Sequence, residues 1–254
     1  MRCIKPATLL QALILAALLI VDVFNATGAL TPAAGPVPNA LCDYRTTICL
    51  EDEFLSGNTA SGAVGSLGWS LSGGSTTTPA SEANHPGLVL RDTGAVINTV
   101  TSLRLFSGSS GSSAGIDPAR PHSVTWIARM NNNDSNVTMR IGEMAPNFTN
   151  PPNDGIYIEK KDADTNWFCV TRSGGTETRI DSGVATSTNF IDVAYERASY
   201  GVQFKINRTN VCGVMSANIP TTFVNPEAVM NNSAAAAKSF TVDYFKLRIT
   251  GLVR

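Results

Sequence analysis

The chain has 254 residues, a formal net charge of -1 and only 15% charged residues, well below the quarter or so that is typical of soluble domains. Such a surface carries neither the basic stripe that binds nucleic acid nor a polybasic patch for a membrane. A hydrophobic content of 43% supports a packed core and excludes an intrinsically disordered chain.

The first 29 residues predict a signal peptide. Two basic residues near the start precede an apolar run over 9–24, and small residues follow at 25–29. The run is short for a transmembrane helix, which needs about 20 residues, and Asp22 interrupts it. An uncleaved anchor is the less favoured alternative, so we expect a secreted or cell-surface protein with no membrane span after cleavage.

Residues 30–50 predict a Pro-rich arm with a small disulfide loop. Three prolines within 30–40 exclude a helix and favour polyproline II or edge-strand geometry. One interpretation is a passive linker. The other is an arm that adds a strand to an open sheet edge of a neighbouring copy, which would give a homo-oligomer or a fibre.

Four of the five cysteines lie outside the predicted signal peptide, at Cys42, Cys49, Cys169 and Cys212. An even number of cysteines in an exported chain predicts two disulfides, for which three connectivities exist. We favour Cys42–Cys49, which closes a local loop, and Cys169–Cys212, which ties two strands and contributes about 4 kcal/mol by the chain-entropy model. The sequence has no C-x-x-C pair, which argues against a zinc site.

Residues 51–254 predict a single all-β domain. Short runs with alternating apolar residues recur between turns rich in Gly, Asn, Asp and Pro. About a dozen strands with almost no helix indicate an antiparallel β-sandwich of the jelly-roll kind. The predicted strands cover residues 67–71, 85–94, 95–98, 103–106, 123–130, 136–141, 155–160, 167–172, 176–180, 190–195, 202–206, 211–215 and 240–249.

Other segments are predicted to be irregular. Two segments are predicted to be loops, residues 75–84 and the Ser/Gly-rich residues 107–115. The segment 234–237 is long enough for one helical turn at most. The apolar face of the last strand switches between Tyr244 and Phe245, which indicates a β-bulge.

A set of strand and turn motifs runs through the chain from Leu67 to Arg254. They are Leu67-Gly-Trp-Ser-Leu71, His85-Pro-Gly-Leu-Val-Leu90 with Thr93-Gly94, Asn166-Trp-Phe-Cys-Val-Thr-Arg-Ser-Gly-Gly-Thr176, Val202-Gln-Phe-Lys-Ile206, Asn218-Ile-Pro220 and Val242-Asp-Tyr-Phe-Lys-Leu-Arg248. In this order they resemble the concanavalin A-like lectin/glucanase superfamily, especially jelly-roll modules of phage tail and other surface structural proteins. The resemblance implies a jelly roll, but such domains include lectins, glycan hydrolases, lyases and non-catalytic assembly modules, and fold alone does not choose among them.

The acidic residues do not form a recognisable catalytic pair. Retaining glucanases of that superfamily carry Glu-x-Asp-x-x-Glu on one strand, where alternate spacing puts two carboxylates on the same face. The chain has no such motif. Its densest acidic cluster is Glu51-Asp52-Glu53, where adjacent side chains point to opposite faces, and we expect a solvated strand start there.

Asp162, Asp164 and Asn166 match the first half of a calcium-binding loop. The sixth position of that loop would be Trp167 rather than Gly, and the twelfth would be Ser173 rather than Glu. A hairpin turn rich in Asp and Asn explains the pattern better. We therefore predict no cofactor, with calcium as the weak alternative.

Further patterns are predicted to be structural. Gly111-Ser-Ser-Ala-Gly115 spells G-x-S-x-G, but it lacks the preceding strand and following helix of a nucleophile elbow. His85 and His122 adjoin prolines, so we expect turn or edge residues. The three tryptophans have apolar neighbours and are expected in the core rather than on a sugar-stacking surface: Trp69, Trp126 and Trp167.

N-glycosylation sequons begin at Asn133, Asn136, Asn147, Asn207 and Asn231. Most fall in predicted turns or loops, and Asn207 opens a hairpin turn from which a glycan would project into solvent. The sequence therefore predicts a glycoprotein, provided that the source organism glycosylates asparagine.

Together these features predict a secreted, non-catalytic jelly-roll protein that serves as a structural or assembly subunit of an extracellular surface or filament. Its mechanism would be strand addition through the N-terminal arm. The alternative is a lectin-like module whose partner is a glycan, and a polysaccharide hydrolase or lyase is less favoured.

Overall fold

The computed structural model describes residues 42–43, 45–55, 57–58, 63–74, 76–106, 115–145 and 151–253. The chain separates into two compact units, Met1–Cys42 and Asp43–Arg254, and only Cys42 of the first is described. The predicted signal peptide, residues 30–41 of the arm, most of the G-x-S-x-G loop and the sequon asparagine Asn147 therefore lie outside the described residues.

The regular structure of the described ranges is entirely β. The strands in chain order are β1 (Ile48–Asp52), β2 (Gly57–Asn58), β3 (Ala63–Val64), β4 (Trp69–Gly73), β5 (Thr76–Glu82), β6 (His85–Asp92), β7 (Thr99–Arg104), β8 (His122–Met130), β9 (Val137–Met144), β10 (Gly155–Lys160), β11 (Asn166–Ser173), β12 (Thr176–Ala185), β13 (Ile191–Ala198), β14 (Gly201–Ile206), β15 (Thr209–Met215), β16 (Asn225–Asn232) and β17 (Ser239–Ile249). Among these residues, no helix is long and apolar enough to cross a membrane.

Two antiparallel sheets are built from these strands. The eight-stranded sheet runs β15-β14-β13-β8-β17-β6-β5, with β1 paired to the second half of β17. The nine-stranded sheet runs β12-β11-β10-β9-β16-β7-β4-β3-β2. The predicted all-β antiparallel sandwich is confirmed.

Aromatic side chains fill the centre of the space between the sheets. Trp69 lies on the nine-stranded sheet, whereas Trp126 and Phe245 lie on neighbouring strands of the other. The ring centroids of Trp69 lie 5.3 Å from Trp126 and 4.8 Å from Phe245, and both contacts are edge-on. Trp167 is also buried, so all three tryptophans belong to the core, as expected from their apolar neighbours.

Asp52 corrects the prediction of a solvated acidic cluster. It is the last residue of β1, points between the sheets and is 3% exposed. Its carboxylate accepts hydrogen bonds from Trp69 Nε1 at 3.0 Å and from the backbone N–H groups of Leu67 and Phe54 at 2.9 Å. A side chain at Gly65, whose φ is +71°, would collide with this carboxylate.

Four local predictions need correction. Residues 48–50 belong to β1 rather than to the arm, since they pair with β17. Residues 76–82, predicted as loop, form β5, because an edge strand tolerates polar residues and Pro79, which has no N–H. Residues 95–98 form a turn with Val96 exposed, because the chain crosses there between sheets. Residues 234–237 form bends rather than a helical turn.

The last strand contains a bulge, as predicted, but it lies at Asp243 rather than between Tyr244 and Phe245. Pairing of β17 with β8 shifts register between Val242 and Tyr244, and Asp243 is the extra residue.

The disulfide between Cys169 and Cys212 joins the two sheets. Cys169 lies on β11 and Cys212 on β15, with their Cα atoms 6.3 Å apart. A bulge in β15 has positive φ at Cys212 and Gly213, and it interrupts the register with β14. Cys42 and Cys49 are also disulfide-bonded.

Replacing Asp52 with Ala should lower the free energy of unfolding by about 2–4 kcal/mol, because three donors, one of them the buried indole N–H of Trp69, lose their charged acceptor. Urea unfolding measures the change. The exposed Glu53→Ala variant is the control and should change stability by less than about 0.5 kcal/mol. Equal effects in the two variants would contradict the role given to Asp52.

The Cys169→Ala/Cys212→Ala double variant should lose about 4 kcal/mol of unfolding free energy, since the disulfide closes a 43-residue separation. Urea unfolding under non-reducing conditions provides the measurement. Reducing agent should destabilise the wild type more than the double variant, because the bond between Cys169 and Cys212 is present only in the wild type. A double variant as stable as wild type would show that the disulfide does not constrain the unfolded chain.

Candidate functional site

The outer face of the nine-stranded sheet, which points away from the other sheet, carries two rows of side chains in cross-strand register. Since alternate residues of a strand share a face, apolar residues on the inner side place their neighbours on this outer face. The first row is Ser70, Arg104, Glu227, Gly142, Tyr157, Val170 and Arg179. The second row is Ser72, Ser102, Val229, Arg140, Glu159, Phe168 and Asp181.

An almost fully buried ion pair lies in the first row. Arg104 Nη2 donates to both carboxylate oxygens of Glu227, at 2.9 Å and 2.8 Å. Burial raises the pKa of Glu227, against the opposing effects of Arg104, Ser102 and Arg140. The guanidinium thus holds this carboxylate in one orientation.

Glu159 is the centre of the second row. Its Oε1 accepts from Arg140 Nε at 2.7 Å, and its Oε2 accepts from Arg179 Nε at 3.0 Å and lies 3.2 Å from Lys161 Nζ. Arg179 also pairs with Asp164. Together these contacts make a chain of alternating charges along the sheet.

Apolar groups lie among these charges. Met144, Tyr157 and Val170 form a small cluster on the outer face, with Val229 packed against it. The guanidinium carbon of Arg179 lies 3.5 Å from the ring centroid of Phe168. The face therefore combines fixed polar groups with a buried apolar cluster and the partly exposed ring of Phe168.

The glycines of β9 and β10 make room for Tyr157. A Cβ at Gly142 would come within 2.8 Å of the Tyr157 Cβ, and one at Gly155 would come within 2.9 Å of its ring. The hydroxyl of Tyr157 is buried with no hydrogen-bond partner among the described residues, and burial followed by the charge of Glu159 raises its pKa.

A cavity of about 140 Å³ opens on this face. Arg104, Glu227 and Arg140 line it on β7, β16 and β9, with Met144 and Pro152 among its apolar walls. The cavity is thus lined by both ion-paired and apolar groups, as is usual for a ligand-binding site.

The side chains of the candidate calcium loop form hydrogen bonds with other protein groups and do not converge on a common point where a cation could bind. Asp162 Oδ1 accepts from the hydroxyls of Thr138 and Ser233, each at 3.2 Å. Asp164 accepts from the backbone N–H of Lys161 at 2.8 Å, besides its pair with Arg179. The amide of Asn166 donates to both oxygens of Asp181 at 3.1 Å.

A lysine ammonium provides the positive charge beside that loop. Lys160 Nζ donates to the backbone oxygens of Asp134, Val137 and Asp162. No group of three or more acidic, His or Cys side chains able to hold a metal ion occurs in the described part of the chain.

His122 is a buried residue rather than the expected turn or edge residue. On β8 it faces Glu143 of the other sheet, with His122 Nε2 and Glu143 Oε2 2.9 Å apart and both side chains fully buried. Its Nδ1 lies 2.7 Å from the carbonyl of Arg120. Burial opposes the charge, but these two acceptors outweigh it and raise the pKa of His122, with Arg197 acting against them.

His85 begins β6 and has a partly exposed side chain. Its Nδ1 lies 2.7 Å from Asp243 at the β17 bulge, and its ring stacks on Phe190 with centroids 4.1 Å apart.

Four residues of this face were not predicted as site residues from the sequence: Arg104, Arg140, Glu159 and Glu227. A signal is visible for Arg104 and Arg140, each of which is a single charged residue inside a run of apolar or strand-forming residues, as in Val-Thr-Met-Arg140-Ile. Their partners could not be read from the sequence, because Arg104 and Glu227 are 123 residues apart.

No protein-family model matches the chain, and no curated protein matches it. Solved structures do match. The Emp47p carbohydrate recognition domain gives a TM-score of 0.51 at 12% identity, covering 84% of this chain and 100% of that one. The Crh5 transglycosylase in complex with NAG gives 0.53 at 10% identity, covering 80% and 84%.

The binding domain of botulinum neurotoxin DC in complex with rat synaptotagmin II is also similar, with a TM-score of 0.53 at 9% identity, covering 80% of this chain. The chain spans about half the length of that structure, 48%. At such identities the likeness concerns the fold alone. It confirms the fold that the resemblance implied, a jelly-roll sandwich of the concanavalin A-like type.

The free energy of unfolding should fall as pH rises above about 6.5, the ordinary pKa of histidine in an unfolded chain. Because the folded-state pKa of His122 is raised, its contribution is complete below that pH and disappears as pH passes through the folded value. Urea unfolding at a series of pH values measures this loss.

The His122→Gln variant should lack this component of the pH dependence, whereas His85→Gln should retain it. An identical pH profile for wild type and His122→Gln would contradict the assignment.

Proposed function

We propose that the protein binds a carbohydrate chain on the outer face of its nine-stranded sheet. The observation that carries the proposal is the pair of cross-strand rows, in which ion-paired Arg and Glu side chains surround a cavity of about 140 Å³ beside apolar and aromatic groups. A fold shared with a carbohydrate recognition domain supports it.

The chemistry of the face matches that of a sugar ring. Sugar hydroxyls donate and accept hydrogen bonds, and each Arg–Glu pair offers donors and acceptors side by side. Phe168 and Val229, which are both partly exposed, offer area for the C–H groups of a ring. Because the ion pairs are already formed, little side-chain ordering remains to be done on binding.

The charge balance of the rows favours a neutral glycan. Three guanidinium groups, on Arg104, Arg140 and Arg179, are matched by three carboxylates, on Glu227, Glu159 and Asp181. With no net charge along the rows, a charged sugar gains no long-range attraction.

The arrangement of the carboxylates supports binding of a sugar rather than its hydrolysis. Retaining glycosidases hold two carboxyl groups about 5–5.5 Å apart, one of them acting as a nucleophile. Here Glu227 is occupied by Arg104, and Glu159 by Arg140 and Arg179. Glu227 and Glu159 also lie on strands separated by β9, which puts their backbones about 10 Å apart.

The location and assembly predicted from the sequence remain proposals. The disulfide between Cys169 and Cys212 is compatible with an extracellular site. Assembly through the arm depends on residues 30–40, which lie outside the described residues. We retain it as a role that would coexist with glycan binding.

Replacing Phe168 with Ala should weaken glycan binding about tenfold, since ring stacking of this kind contributes about 0.5–1.5 kcal/mol. A screen of immobilised neutral glycans identifies a ligand, and titration calorimetry then compares the variants. Sugar release from the same glycans is measured in parallel.

Phe190→Ala is the matched control, because the half-buried ring of Phe190 stacks on His85 of the eight-stranded sheet, away from the proposed site. It should leave affinity unchanged. Absence of binding to any glycan, or equal losses in the two variants, would refute the site. Sustained release of sugar would show that the protein hydrolyses glycans rather than only binding them.

A further inference from the structure

The four sequons in the described part of the chain lie at one end of the sandwich. The loop 131–136 between β8 and β9 meets the start of β17, where Asn131 N donates to Ser239 O. Asn207 is near this loop, because its N–H donates to Asp192 O and the start of β13 pairs with the C-terminal end of β8. We call this the Asn131 end. The domain's own N-terminal residues lie at the opposite end, where Thr46 O accepts from Leu252 N.

Asn207 occupies an exposed two-residue turn between β14 and β15. Positive φ at Asn207 and Arg208 gives the turn the twist that a two-residue hairpin needs. The side-chain Oδ1 accepts from Asp192 N at 3.1 Å, which fixes the amide and leaves its Nδ2 for solvent. Thr209, the sequon hydroxyl residue, is exposed as well.

Asn133 meets the same conditions in the β8–β9 loop. Asn133 and the hydroxyl residue Ser135 are both exposed. Between them, Asp134 pairs with Lys238 and so anchors the loop without involving either sequon side chain.

Asn231 differs, because it lies within β16 and on the outer face of the nine-stranded sheet. It stands two residues beyond Val229 and pairs across the strands with Val100 and Thr138. Its Oδ1 is buried, and its sequon hydroxyl, on Ser233, is bonded to Asp162 at 3.2 Å. A glycan on this amide would have to displace the groups that bury its oxygen, and it would lie over the proposed carbohydrate-binding face.

We propose that the exported protein carries N-linked glycans at Asn133 and Asn207 and none at Asn231. The donor would be an oligosaccharide linked to a lipid diphosphate. The amide Nδ2 forms a bond to the sugar C1, the C1–O bond to the diphosphate breaks and the lipid diphosphate leaves with the electron pair, while one amide proton is lost to a base.

Folding determines which glycosylated sequons are found in the secreted protein. A glycan added to the unfolded chain at Asn133 or Asn207 remains in solvent after folding, so it costs nothing in packing. One added at Asn231 must displace the groups that pack around the buried Oδ1 of that amide, so such chains do not reach the folded secreted state. The outcome is a molecule with glycans at the Asn131 end and none on the outer face of the nine-stranded sheet.

The test uses the full-length chain secreted from a eukaryotic host, with Asn136→Gln and Asn147→Gln as background. Asn136 is only three residues from Asn133, and Asn147 lies outside the described residues. Mass spectrometry of the intact protein, before and after an amidase that converts glycosylated Asn to Asp, counts the glycans and locates them in peptides.

Two glycans are expected. Asn133→Gln and Asn207→Gln should each remove one, the double variant both, and Asn231→Gln none. Ser135→Ala and Thr209→Ala destroy the same sequons while keeping the asparagines, so they provide the answer if a Gln variant is not secreted. A glycan on Asn231, or secreted folded protein with Asn133 or Asn207 bare, would overturn the proposal. This result does not depend on whether the protein binds a glycan.

Discussion

The edge-on contact of Trp69 with Trp126 and Phe245 holds the two sheets face to face, and the placement of the outer side chains follows from it. A strand whose inner side chains are packed in a core cannot shift by one residue, because every side chain would then change faces. The core contacts therefore fix the register of the nine-stranded sheet. Once that register is fixed, the charged residues between the core residues must fall into cross-strand rows.

Those rows bury charge, and buried charge has a cost that pairing only offsets. Arg104 and Glu227 form a two-bond pair, and Glu159 lies between two guanidinium groups. Such pairs add little net stability, but each side chain acquires a fixed direction. A face made of fixed donors and acceptors beside apolar side chains is suited to a ligand with many hydroxyl groups, which is the basis of the proposed function.

The sequence predicted the elements well where the local signal was strong. Alternation located β8, β10 and β11, which are long, central and bounded by turns. It failed for β5, because an edge strand needs neither an apolar face nor a full set of N–H donors. It also failed at 95–98, where apolar residues form the exposed turn that carries the chain between sheets. Asp52 and His122 were misjudged because their burial depends on partners in the opposite sheet.

By itself, the sequence determined an all-β domain, its jelly-roll resemblance, the cysteines available for disulfides and the positions of the sequons. These depend on residue type and on spacing along a few neighbouring positions. Only the tertiary structure decided which carboxylate meets which guanidinium, that the Cys169–Cys212 bond joins two different sheets, and that Asp162 binds hydroxyls. Those facts depend on strand pairings between residues far apart in sequence, which no local pattern of residues encodes.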